Sequence, residues 1–90
     1  MKHAGSAALA RLDDLLTRLR RCGDLVEKRP GVFYRRGRAF LHFHEDPLGL
    51  FADLRPGELW DRVPVNDAAD RARLLETVER VLAAGSGPAA

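Results

Sequence analysis

The sequence is short of cysteine, of aromatic residues and of long apolar runs, and each shortage narrows what the chain can be. Cys22 is the only cysteine, so no internal disulfide can form. Nothing else requires an oxidising compartment, and a cytosolic setting is the expectation. No stretch approaches the roughly 20 apolar residues of a membrane-spanning helix, and the N-terminus lacks the apolar core of a signal peptide, so no membrane partner is expected. Neither sign of charge dominates: 15 basic residues face 13 acidic ones, for a net charge of +2. So even a balance argues against a protein built to coat nucleic acid.

What is present suits a folded domain. With 46% hydrophobic and 31% charged residues over 90 positions, residues 1–90 read as one small globular unit. A chain of this size buries roughly 60% of the surface that its unfolded form exposes. "SAALARLDDLLTRLRRCGD" has the period of an amphipathic helix, with Ser6 as N-cap and Leu9, Leu12, Leu15, Leu16 and Leu19 on one side. Arginines crowd its last turn and Gly23 stops it. A second helix is expected from about Ala68 to Ala84, capped by Asn66 or Asp67, with Leu74, Leu75, Val78, Val81 and Leu82 inward. Residues 1–5 and 85–90 read as frayed tails.

Between the helices the pattern is that of strands. "DLVEK" is a candidate edge strand. "GVFYRRGRAFLHFHE" reads as a hairpin about Arg36-Gly37. A two-residue turn pairs Arg35 with Arg38 and Phe33 with Phe40. Strict alternation then places Val32, Tyr34, Ala39, Leu41 and Phe43 on one face, and Phe33, Arg35, Arg38, Phe40, His42 and His44 on the other. "LFADLR" follows with Leu50, Ala52 and Leu54 inward, and Phe51 and Asp53 beside the histidines. "WDRVPV" closes the sheet as an edge strand, where Pro64 is tolerated. The expected fold is a two-layer α+β sandwich, a three- or four-stranded antiparallel sheet with both helices on one face.

Three groups of residues carry candidate chemistry. His42 and His44, two apart on a strand, project the same way, and Asp53 on the neighbouring strand shares their face. They form a candidate divalent-metal site for an ion such as zinc, with Asp46 in reserve. The competing reading is a hydrogen-bonded cluster on a solvated face. Hydrolytic catalysis lacks a nucleophile unless a metal-bound water at this site supplies one, because no serine or threonine lies in the strand region and Cys22 sits at a helix end. Arg35, Arg36 and Arg38 make a basic hairpin tip, read either as a solvated turn or as a nucleic-acid contact. Phe33, Phe40 and Phe51 form an apolar patch on the uncovered face, expected to dock a protein partner or a second copy as a homodimer, with Trp60 nearby. Cys22 reads as a small buried hydrophobe.

The run "GRAFLHFHED" followed by "ADL" resembles a small bacterial family of unknown function whose members carry the label "luciferase domain". Its Gly-Arg, His-x-His, acidic residue and later Asp fall on Gly37, Arg38, His42, His44, Asp46 and Asp53. The resemblance covers about a third of the chain and implies that Arg38 and the two histidines share one surface. It implies no light-emitting reaction, since the chain is too short for a flavin-dependent barrel and has no glycine-rich phosphate loop. The function expected from all this is a non-enzymatic interaction module that uses the helix-free sheet face.

Overall fold

The computed structural model describes residues 1–85; of the two expected tails, 86–90 lie outside that range. Among the described residues the order is β1 (Lys2–His3), α1 (Ser6–Arg11), α2 (Asp13–Arg20), β2 (Leu25–Arg29), β3 (Val32–Arg35), β4 (Arg38–Asp46), β5 (Gly49–Leu54), β6 (Asp61–Pro64) and α3 (Ala68–Gly85). Strands β2 to β6 pair in sequence order, all antiparallel, and β1 joins the side of β4. The fold is α+β, as the sequence predicts, with a larger sheet than expected. No helix among the described residues is long and apolar enough to cross a membrane.

The added strand is the correction at the N-terminus. Residues 1–5 do not fray: Lys2 pairs with Glu45 and His3 with His44. Ala4 is buried, and its amide donates to the Phe43 carbonyl at 2.9 Å. The chain then enters α1 through Gly5, not Ser6, as N-cap; the Gly5 amide donates to Glu45 Oε2 at 2.7 Å. The single amphipathic helix is in fact two, broken at Leu12 with φ −103° and ψ 12°. Both halves keep their leucines inward, so the break costs no burial.

Helix α3 begins as its sequence indicates. Asp67 Oδ1 accepts from the Asp70 amide at 2.7 Å, and Asp70 Oδ2 accepts from the Asn66 amide at 3.0 Å. Asp67 thereby caps an amide that the first helical turn leaves unpaired, and Asp70 ties the preceding residue to the helix start. Leu74, Val78 and Leu82 are buried, with Leu75 and Val81 packed beside them. Asn66 also receives the Leu50 amide at 2.8 Å. Gly49 at φ +138° makes room for that contact, because a Cβ there would lie 2.5 Å from Asn66 Oδ1.

The hairpin forms at Arg36-Gly37, both at positive φ (52° and 81°), as a two-residue turn of this hand demands. Arg35 pairs with Arg38 and Tyr34 with Ala39, but Phe33 pairs with Leu41 rather than Phe40. Phe40 is therefore the extra residue of a β-bulge, which turns two successive side chains, Phe40 and Leu41, toward one side. The bulge overturns half of the predicted alternation. Phe33 and Phe40, expected on the uncovered face as contact residues, are core at 1% and 3% exposure. Val32, Tyr34 and Ala39 take the opposite face. Beyond the bulge, Leu41 and Phe43 point to the helices as predicted, with Leu50, Ala52 and Leu54 of β5 beside them.

Candidate functional site

The helix-free face is where polar chemistry collects. His42 pairs across the ladder with Asp53, and Asp53 with Arg62; one step along, His44 pairs with Phe51 and with His3 of β1. These pairings are backbone consequences, because directly opposed residues share a face. His42, His44, Asp53 and Phe51 are all partly buried.

The side chains converge tightly. His44 Nε2 lies 3.0 Å from Asp53 Oδ2 and 3.3 Å from His42 Nδ1. One ligand atom from each of the three residues falls within 4.8 Å of the other two. The Arg62 fork grips the same carboxylate from the solvent side, Nε to Oδ1 at 2.7 Å and Nη2 to Oδ2 at 2.9 Å. That grip holds the Asp53 carboxyl below the usual carboxylate range, against the opposing effect of burial. Burial, aided by the nearby His44, pushes the His42 imidazole pKa down. An ionised carboxylate thus faces an imidazole that favours its neutral form.

Protons alone leave this cluster poorly satisfied. If His44 Nε2–H donates to Asp53, His42 Nδ1 must present its lone pair to that same hydrogen, at a separation beyond the common 2.7–3.2 Å range. If His42 donates instead, the bare His44 Nε2 faces a carboxylate oxygen and repels it. In either tautomer His44 Nδ1 is buried and has no hydrogen-bond partner among the described residues. Such an orphaned group costs about 1–3 kcal/mol.

A loop roofs part of the face. Trp60, in the β5–β6 connection, lies against His42 with ring centroids 4.6 Å apart, and the Arg55 guanidinium sits 4.8 Å from the centre of the indole. Trp60 remains 40% exposed. The sequence places Trp60 near the uncovered face and says no more. Its partner residue His42 could not be read from it, since a loop tryptophan carries no register. His3 was equally hidden in a two-residue strand that has no periodicity to detect; its ring stands edge-on to His44, centroids 6.3 Å apart, and its Nε2 meets the Pro30 carbonyl at 3.1 Å.

Of the residues singled out in the sequence, His42, His44 and Asp53 are brought together. Asp46 is not: its Oδ1 accepts the Leu48 amide at 2.7 Å in the β4–β5 turn. Gly37 and Arg38 lie at the hairpin tip, the far end of β4 from His44. Of the three phenylalanines, only Phe51 shares the histidine face. Cys22 is half-buried against Leu19 and the core edge, its thiol pKa pushed up first by burial. No family model, curated protein or solved structure matches this chain, so the site is read from its own geometry.

Proposed function

We infer that the helix-free face of the sheet is a divalent-metal-binding site, with His42 Nδ1, His44 Nε2 and an Asp53 carboxylate oxygen as its protein ligands. The observation that carries the reading is spacing. Around a tetrahedral ion with bonds of about 2.0–2.1 Å, neighbouring ligand atoms stand about 3.3–3.4 Å apart. Two of the three edges, 3.3 Å and 3.0 Å, are near that value, and the third is within 4.8 Å. A cation would also replace the proton that His42, His44 and Asp53 cannot share well.

The donor set, two imidazoles and a carboxylate, suits zinc and its first-row neighbours better than calcium or magnesium. Three protein ligands leave one tetrahedral position for water or for a ligand's own donor atom. Arg62 sets the opposing term, since it competes for Asp53 and adds a like charge beside the ion. Its side chain is half-exposed, so it can release the carboxylate into solvent without leaving a buried charge.

Cobalt(II) titration of the chelator-treated protein tests the reading. A four-coordinate site gives intense visible d–d bands that saturate at one ion per chain and vanish in Asp53→Asn. A weak, octahedral-type spectrum that persists in Asp53→Asn excludes the assigned ligands.

A further inference from the structure

Arg62 connects the metal-binding residues to what a bound ion could carry. Its fork holds both Asp53 oxygens, Nε on Oδ1 at 2.7 Å and Nη2 on Oδ2 at 2.9 Å. Oδ2 is also the oxygen that stands 3.0 Å from His44 Nε2, so it is the one on the metal side. An ion at the site and Arg62 Nη2 therefore claim the same atom. A cation bonded at about 2.0–2.2 Å takes that oxygen. Nη2 must then give it up, while Nε can stay on Oδ1.

Held through Nε to a ligand carboxylate, Arg62 then presents a displaced cationic donor beside the ion. The three protein ligands leave that ion one open position. A second carboxylate fits this pair, with one oxygen for the ion and the other for the guanidinium. The Arg62 side chain is half-exposed, so it can turn toward such a ligand. The surroundings indicate what the carboxylate is attached to. Trp60 lies against His42, ring centroids 4.6 Å apart, and is 40% exposed. Phe51 is directly opposite His44 on the neighbouring strand and shares its face. The Arg55 guanidinium gives Nε and Nη2 to the Ala39 carbonyl and backs the indole, which holds that wall in place. Aromatic surface beside two of the ligands suits an apolar body better than a hydrated phosphate.

We propose, resting on the metal reading above, that the metal-loaded site binds a small carboxylic acid with an apolar body. One carboxylate oxygen sits on the ion and the other on Arg62, and the body lies against Trp60 and Phe51.

The test uses the full chain loaded with cobalt(II), whose visible bands report on the fourth position. Benzoate, benzamide, acetate and inorganic phosphate are titrated at constant ionic strength. Benzoate is expected to shift the bands saturably, and benzamide, similar in shape but uncharged, is not. Arg62→Gln holds cobalt at least as tightly as the parent, because a competitor for Asp53 is gone. It binds benzoate more weakly by roughly tenfold or more, the usual cost of losing a charge-assisted hydrogen bond. Arg80→Gln, an equal charge change at an exposed position of α3, leaves both affinities unchanged. Trp60→Ala lowers benzoate binding to the level of acetate. Absence of cobalt bands overturns the metal reading and this site with it. With the bands present, no response to benzoate, or an equal loss in Arg80→Gln, overturns the carboxylate site alone. Loss of the bands that excess cobalt restores shows benzoate stripping the ion, and overturns it too. Phosphate binding tighter than benzoate overturns the ligand class.

Discussion

The two faces of this sheet are made from the same strands by different physics. On the helix side, Phe33, Phe40, Leu41, Phe43, Ala52 and Leu54 are sealed by the leucines of α1, α2 and α3. Burial of apolar area, about 25 cal/mol per Å², is enough to account for that side. On the other side, one residue away along β4 and β5, stand His42, His44 and Asp53, with Arg62 of β6 beside them, an orphaned imidazole nitrogen and a carboxylate that His44 and Arg62 share. Apolar packing is non-directional and tolerant, so it explains a fold and nothing more. A polar cluster that is half-buried yet unsatisfied has a cost, and that cost is what makes it the candidate site.

Breaking the covered face has the largest effect. Phe43→Ala removes a fully buried ring and lowers stability by about 3–5 kcal/mol, measured by urea unfolding. Phe40→Asp puts an unpaired charge in the core and abolishes the cooperative transition. Had Phe40 been a surface contact, as strict strand alternation implies, that variant would instead remain folded.

Breaking the open face affects binding, not folding. His44→Ala reduces divalent-ion affinity at least about a hundredfold, more than the loss of an outer partner of a ligand. Its unfolding midpoint changes little, because the removed ring leaves no sealed cavity. A large stability loss in His44→Ala would make the cluster structural and erase the contrast between the faces. Arg62→Gln sharpens the contrast in the opposite sense. It frees the Asp53 carboxylate and removes a like charge, so calorimetry should give a severalfold tighter divalent ion.

The smallest effect is a pH dependence away from both faces. Asp24 beside Arg35, and Glu27 beside Arg20, are held below the ordinary carboxylate range, in each case chiefly by that arginine. The unfolded chain then binds more protons than the folded one near pH 4, so stability rises with pH through that region. The pairs support the fold fully above the unfolded pKa and stop doing so as pH falls through the lowered folded value. In Asp24→Asn and Glu27→Gln the urea midpoint should vary less between about pH 5 and pH 3 than in the parent.

Much of this was legible in the sequence, for identifiable reasons. The α3 cap, the Arg36-Gly37 turn and the inward set of β5 are local signals, and local geometry decided them. His42, His44 and Asp53 share a face because β4 and β5 alternate without interruption beyond the bulge. The bulge itself escaped, although "AFL" left a trace: three consecutive apolar residues in a strand that should alternate. Reading that run as a register shift would have moved Phe33 and Phe40 into the core. β1 could not be found, since two residues show no period, and with it His3 stayed hidden. The approach of Arg55 to Arg35, Arg36 and Arg38 around one cavity is equally nonlocal, because it arises only when the β5–β6 loop returns to the hairpin tip.

The central claim, that the uncovered face takes up a metal ion through His42, His44 and Asp53, is tested most directly by native mass spectrometry. Chelator-treated full chain is offered one equivalent of zinc, alongside a His42→Ala/His44→Ala variant shown by circular dichroism to be folded. The account predicts one zinc per parent chain and none on the variant. Zinc on both, or on neither, would contradict it.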